Sequence, residues 1–180
     1  QDHYLARDGV AHDGDVASRL GLAGIPVSAE TVAVSTVIHL ARDAGVRVHL
    51  ARLSSAAGVA LVREAQAAGL AVSCDVSIHH LHLSENDIGY FDSHARFDPP
   101  LRSGADRAAL RKAVSEGLAA VCSDHSPVDE DGKQLPFAEA VPGATGLELL
   151  LPLTLKLAEE MRIPLVTALA RVTCDPAAVL

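Results

Sequence analysis

The sequence predicts an α/β protein in which parallel strands alternate with helices. Residues 46–52, 70–76 and 119–123 are apolar runs with the character of buried strands. Helix-forming segments that end at a glycine separate these runs. The alternation is typical of parallel sheets, because a crossover helix must return the chain to the same edge of the sheet. A closed barrel and an open sheet both fit this pattern.

The remaining elements follow from helix signals and turn residues. Helices are expected at residues 28–44, 54–68 and 106–116. Asp106 is expected to cap the third of these helices, and Gly117 to end it. The polar stretch through Asp98 is expected to be a loop, and residues 175–180 resemble the start of another helix.

Composition restricts the class of protein. The chain has 180 residues, of which 49% are hydrophobic, which suits one domain or part of one. A net charge of −8 disfavours binding to nucleic acid or to an anionic membrane. The three cysteines lie far apart, as expected of reduced thiols in the cytoplasm. No segment has the pattern of a signal peptide or a membrane span.

Charged residues lie near the carboxyl ends of the predicted strands, where parallel α/β folds build their sites. Arg52, Asp75 and Asp124 each stand at or just after such an end. Asp124 could bind a metal or accept a proton, and a turn-forming aspartate before Pro127 is an equal alternative. His49 lies three residues before Arg52, so a regular strand would direct the two side chains to opposite faces. His49 is therefore expected to face the helices.

Other histidines are weaker candidates for chemistry. His79 and His80 are expected to close the second strand, where they could be metal ligands or packed core residues. Surface or capping roles are expected for His3, His12, His39, His82 and His94. No phosphate-binding or dinucleotide-binding motif is present.

Taken together and in order, several segments resemble the dihydroorotase branch of the amidohydrolase superfamily. The segments are Gly21-Leu22-Ala23-Gly24-Ile25-Pro26, Ala29-Glu30, Val48-His49-Leu50-Ala51-Arg52-Leu53-Ser54, His79-His80-Leu81, Asp98-Pro99-Pro100-Leu101-Arg102-Ser103, Ser123-Asp124-His125-Ser126-Pro127, Gly146-Leu147-Glu148 and Leu151-Pro152-Leu153. The resemblance implies a (β/α)8 TIM-type barrel of which residues 1–180 form a part, with both ends of the barrel outside the chain.

The resemblance also implies a zinc site, and this sequence departs from it. Such barrels bind zinc through an early His-x-His pair, a bridging ligand, two later histidines and a final aspartate. Asp124 matches that aspartate, but Arg52 occupies the position of a histidine ligand, and a guanidinium cannot coordinate zinc. Val128 replaces a substrate-binding histidine, and Asp98 replaces an asparagine. Asp75 replaces a glutamate, and a proline is absent before His79.

These departures favour a catalytically inactive protein without a cofactor. The resemblance implies a structural subunit that assembles with the catalytic chain of aspartate carbamoyltransferase, in homo- and hetero-oligomers, in pyrimidine biosynthesis. The alternative is an active zinc-dependent dihydroorotase in which Asp124 is metal ligand and proton shuttle and Arg52 binds a substrate carboxylate. No feature of the sequence supports a third hypothesis, a small-molecule sensor.

A lost metal would leave Asp124 as an unpaired carboxylate in a partly dry cavity, which is costly unless a cation is supplied. We therefore expect the Arg52 guanidinium within salt-bridge reach of Asp124 or of a neighbouring carboxylate such as Asp75. In the alternative, Arg52 extends to solvent at the rim of the barrel.

Overall fold

A computed structural model describes residues 1–179 of the chain, and its strands form two parallel sheets. β1 (Ala11–His12) pairs with β2 (Gly24–Ile25). In the second sheet, β4 (Val72–Ser77) lies between β3 (Val48–Leu50) and β5 (Ala119–Cys122). The predicted parallel pairing of three strands is confirmed. The strands of the described residues form no closed barrel.

The helices follow the predicted alternation. They are α1 (His3–Ala6), α2 (Asp15–Leu20), α3 (Val27–Ala44), α4 (Ala56–Ala67), α5 (Gly104–Glu116), α6 (Glu130–Lys133), α7 (Leu147–Met161), α8 (Leu165–Ala170) and α9 (Cys174–Ala177). The helix expected at residues 175–180 is present as the short α9, and residue 180 lies outside the described part. No helix in residues 1–179 combines the length and apolarity needed to cross a bilayer.

The two faces of the three-stranded sheet differ in polarity. Leu50, Cys74 and Val121 are buried in a core cluster with residues of α4 and α5. Side chains alternate along a strand, so the opposite face carries the intervening residues, among them Ser73 and Asp75. The polar side chains of the sheet therefore share one face.

Several predicted boundaries are wrong for local reasons. β3 ends at Leu50 because Arg52 adopts a φ of 56°, which strands do not allow. β4 continues to Ser77, so Asp75 lies inside the strand and His79 follows in a turn. Asp106 is not the cap of α5, because Ser103 occupies that position. The Asp106 carboxylate instead accepts hydrogen bonds from the Ser103 amide and hydroxyl, forming a capping box.

A buried carboxylate fixes the segment that follows β3. Glu30 of α3 is only 4% exposed and accepts hydrogen bonds from the backbone N–H and the hydroxyl of both Ser54 and Ser55. Arg102 supports this cluster through an Nε–H donated to Ser54 Oγ at 3.2 Å. The turn that carries Arg52 is therefore anchored from its carboxyl side.

Candidate functional site

Arg52 and Asp124 meet at the carboxyl edge of the three-stranded sheet. Each residue lies two positions beyond the end of its strand, and each has a left-handed backbone, with φ of 56° at Arg52 and 48° at Asp124. Arg52 Nη1 lies 3.3 Å from Asp124 Oδ1, and the Asp124 side chain is 8% exposed. Nη1 also donates to the backbone oxygen of Asp98 at 3.2 Å. The predicted ion pair between Arg52 and Asp124 is confirmed.

Asp75 holds the backbone of Arg52 rather than its guanidinium. The Arg52 N–H donates to Asp75 Oδ1 at 2.8 Å. The other carboxylate oxygen of Asp75 lies 2.8 Å from His49 Nε2, and His49 Nδ1 lies 2.8 Å from Ser73 Oγ. These contacts fix the left-handed turn from the neighbouring strand, so that the guanidinium reaches Asp124.

The expectation that His49 faces the helices is wrong. His49 bonds to Ser73 and Asp75 on the polar face of the sheet, and both His49 and Arg52 line one cavity. Alternation would direct His49 and Arg52 to opposite faces only if β3 continued to Arg52, and β3 ends at Leu50. The left-handed turn at Arg52 returns its side chain to the face that His49 occupies.

His79 and His80 are buried beside this site. The His79 ring packs on Phe97 with centroids 5.0 Å apart, and His80 Nε2 lies 3.2 Å from the backbone oxygen of Pro100. Burial lowers the pKa of both imidazoles, and the charge of Asp124 offsets this only in part. Within residues 1–179, His79 Nε2 and His80 Nδ1 are buried without a hydrogen-bond partner. Both rings are therefore neutral core residues near pH 7.

Cys122 ends β5 on the polar face of the sheet. Burial raises the pKa of its thiol, and the charge of Asp75 raises it further. The thiol is therefore protonated at neutral pH, when a nucleophile or a metal ligand would need the thiolate. The surroundings of Cys122 therefore do not activate its thiol as a nucleophile or a metal ligand.

Two further substituted positions, Asp98 and Val128, differ in their relation to Arg52. Asp98 is exposed and reaches Arg52 only through its backbone oxygen. Val128 is half-buried, and its methyl groups lie against the backbone of Gly132 and Gly143. Val128 does not line the cavity at Arg52 in the described part of the chain. Val128 thus makes an apolar contact at the position where the resemblance implies an imidazole.

Residues 1–179 by themselves do not supply the donor set of a zinc ion. Zinc sites in proteins use three or four thiolate, imidazole or carboxylate ligands. Residues 1–179 contain no group of three such side chains close enough to hold a metal. Within the described residues, Asp124, the predicted metal ligand, is paired with the Arg52 guanidinium, which repels cations.

Sequence reasoning missed several residues of the site. Arg7 and Arg96 line the same cavity as Arg52, although neither belongs to a quoted motif. His12 is buried rather than exposed, and its Nδ1 lies 3.2 Å from Arg102 Nη1. A charged residue among apolar neighbours, as in Ala95-Arg96-Phe97, was the available signal for Arg96. Arg7 gave none.

Curated proteins similar to this chain match it nearly end to end. A dihydroorotase-like protein of Pseudomonas aeruginosa is 48% identical over 178 residues, which cover 98% of this chain and 42% of the relative. A dihydroorotase-like protein of Pseudomonas putida is 44% identical, and the match covers 100% of this chain and 43% of the relative. A dihydroorotase of Geobacter sp. is 39% identical with the same coverage. The chain spans less than half the length of these relatives. No protein-family model matches it.

Solved structures share the fold. An L-hydantoinase from Arthrobacter aurescens superposes with a TM-score of 0.81 and 28% identity, over 93% of this chain and 38% of that one. A dihydroorotase from Saccharomyces cerevisiae in complex with 5-fluoroorotic acid superposes with a TM-score of 0.76 and 19% sequence identity, over 94% of this chain and 47% of that one. At this identity the likeness concerns the fold alone. By sequence and fold together, this chain belongs to the dihydroorotase-like branch of the amidohydrolase superfamily.

Proposed function

We propose that this chain is part of a dihydroorotase-like protein that has lost its metal centre and serves as a cytoplasmic structural subunit for aspartate carbamoyltransferase in pyrimidine biosynthesis. Residues 1–180 would contribute part of a (β/α)8 barrel, and the protein would need no cofactor. The observation that carries the proposal is the contact between Arg52 Nη1 and Asp124 Oδ1 at 3.3 Å.

The electrostatics of this pair support the proposal. A carboxylate that is 8% exposed loses most of its hydration, and it is stable when a cation compensates its charge. Zinc is that cation in an active metal site, where it also activates water for hydrolysis. A guanidinium supplies the charge but has no open coordination position and no acidic water. The pair would therefore preserve the fold of the site without its reaction.

The alternative is an active zinc-dependent dihydroorotase. It is favoured by the retained Asp124 and by a relative of 39% identity that is named dihydroorotase. In that case Asp124 would hold the metal and move a proton, with further ligands supplied from outside this chain. Arg52 would then have to leave Asp124 and bind a substrate carboxylate.

Turnover of carbamoyl aspartate decides between the two. We expect the full-length protein, assayed with added zinc, to cyclise carbamoyl aspartate no faster than its Asp124→Asn variant, because neither holds a working metal site. A wild-type rate that clearly exceeds that of the variant and disappears on chelation would refute the proposal and establish the alternative.

The assembly role has a separate test. We expect the full-length protein and the catalytic chain of aspartate carbamoyltransferase to elute from size-exclusion chromatography as one species, larger than either alone. Elution as two independent species at micromolar concentrations would refute the assembly role. It would leave the conclusion about the metal site intact.

A further inference from the structure

β1 and α2 pack in an apolar cluster of their own, separate from the core of the three-stranded sheet. Ala11 of β1 and Val16 of α2 lie there with Ile88 and Phe97, which belong to the loop between β4 and α5. The core of the sheet is a different cluster, formed with residues of α4 and α5. Polar contacts that join the two clusters therefore help to hold β1 and α2 against the rest of the chain.

The buried guanidinium of Arg102 makes such contacts. Its Nη1 donates to His12 Nδ1 of β1 at 3.2 Å and to the backbone oxygen of Ile25 in β2 at 2.6 Å. Its Nε donates to the Ser54 hydroxyl, which in turn donates to the Glu30 carboxylate. Arg102 thus connects the two-stranded sheet to the anchored turn after β3.

The contact between Arg102 and His12 requires a neutral imidazole. A guanidinium has donors only and stays charged, so His12 accepts at Nδ1 and carries its proton on Nε2. Burial lowers the pKa of His12, and the charge of Arg102 lowers it further. A protonated ring has an N–H at both nitrogens. Protonation would therefore set two donors and two positive charges against each other.

Three carboxylates near His12 favour its protonated form, and Glu85 has the largest effect, ahead of Asp106 and Asp13. Both oxygens of Asp106 already accept hydrogen bonds. Asp13 is exposed, so water solvates its charge. Glu85 Oε2, in contrast, is buried without a hydrogen-bond partner within residues 1–179. Glu85 is therefore the acceptor that an imidazolium at this place would find.

Gly14 brings the ring and this carboxylate together. A Cβ at position 14 would lie 2.8 Å from Glu85 Oε2 and 3.3 Å from His12 Nε2, so both groups lie against the same backbone position. The nitrogen that carries the proton is the one on this side of the ring. Arg102 and Glu85 thus lie at opposite nitrogens of His12.

We infer that His12 is a proton-operated latch: neutral His12 binds Arg102 and holds β1, whereas protonated His12 exchanges Arg102 for Glu85 and loosens β1 and α2. His12 is 9% and Arg102 2% exposed, so residues 1–179 themselves enclose the latch. The inference goes beyond the proposed function, because it concerns a motion within the chain. Since the closed form holds the neutral ring, the latch is fully closed above about pH 6.5 and opens as the pH falls below that value.

Amide hydrogen exchange of the full-length protein, followed by mass spectrometry, tests the latch. Protection factors correct for the intrinsic effect of pH on exchange. We expect protection of residues 11–25 to fall by up to about tenfold between pH 7.5 and pH 5.5. Protection of β4 should fall less. Constant protection of residues 11–25, or an equal fall in β4, would overturn the inference, since an equal fall means that the whole protein opens.

Variants identify the groups. The amide oxygen of His12→Asn can still accept from Arg102 but does not titrate, so we expect the fall to disappear. His39→Asn, at an exposed position of α3, is the matched control and should keep the wild-type fall. Glu85→Gln should make the fall smaller, because the imidazolium loses its carboxylate. A fall of wild-type size in His12→Asn would overturn the latch, and one in Glu85→Gln would overturn the exchange of partners.

Discussion

Asp124 is the residue whose environment has to be explained, because a carboxylate with so little exposure needs a compensating charge. We expect Arg52→Met and Asp124→Asn to be non-additive in the free energy of unfolding, with a coupling of about 0.5 to 1 kcal/mol. The low end of the range applies if solvent at the half-exposed Arg52 screens the pair. Urea unfolding of the wild type, both single variants and the double variant measures the coupling.

The matched control is the ion pair between Arg63 and Glu116, whose side chains are 54% and 39% exposed. Solvent screens such a pair, so the cycle of Arg63→Met and Glu116→Gln should give a coupling below that of Arg52 and Asp124. Strictly additive effects at Arg52 and Asp124 would mean that the guanidinium does not compensate the carboxylate.

Glu30 makes the second prediction at the scale of single residues. Its carboxylate accepts four hydrogen bonds in the core, and an amide in its place would turn one acceptor into a donor that faces other donors. We expect Glu30→Gln to lower the free energy of unfolding by about 3 kcal/mol. Glu64→Gln, at an exposed position of α4, should change it by less than about 0.5 kcal/mol.

Single residues also show what the sequence can predict. The contact of Arg52 with Asp124 was predictable, because two opposite charges follow strands that end at the same edge. The orientation of His49 was not, since it depends on a left-handed turn at a non-glycine residue. Backbone propensities disfavour such a turn, and it is held by tertiary contacts from Asp75.

At the scale of elements, strands and helices with several periodic residues were predictable and short ones were not. β1 and β2 contain two residues each, too few for any alternation to be visible in the sequence. Their pairing depends on contacts between distant segments. The start of α5 was misplaced because Ser103 and Asp106 form a reciprocal capping box, and either residue alone is a good cap.

Buried histidines make stability depend on pH. Burial is the largest cause of the lowered pKa of four histidines, His12, His79, His80 and His82. The unfolded chain, with histidine pKa values near 6.5, then binds protons more readily than the folded chain. The stability that these neutral histidines contribute is fully present above about pH 6.5 and is lost as the pH falls below that value. Each histidine contributes at most about 1.4 kcal/mol per pH unit.

Urea midpoints between pH 7.5 and pH 5.5 check this dependence. We expect the midpoint to decrease on acidification, and His82→Gln or His80→Gln to make the decrease smaller. His39→Gln, at an exposed position of α3, is the control and should leave the slope unchanged. A midpoint that rises or stays constant on acidification would mean that the buried rings are charged in the folded protein.

At the scale of the whole molecule, the sequence motifs and the parallel sheet led to the same superfamily, and the relatives agree with it. The cavity could not be predicted in the same way. Its walls come from α1, α3, the turn after β3 and the loop at Asp98, so it exists only when distant segments fold together. Residues such as Arg7 acquire a neighbourhood that no local pattern encodes.

We propose that Arg52 stands where an active relative would have a metal ligand. Zinc content of the purified full-length protein, measured by mass spectrometry after incubation with zinc and removal of the excess, tests it most directly. We expect far less than one zinc per chain in the wild type. We expect a higher zinc content in the Arg52→His, Val128→His double variant, in which imidazole side chains stand at both substituted positions. About one tightly bound zinc per wild-type chain would contradict the account.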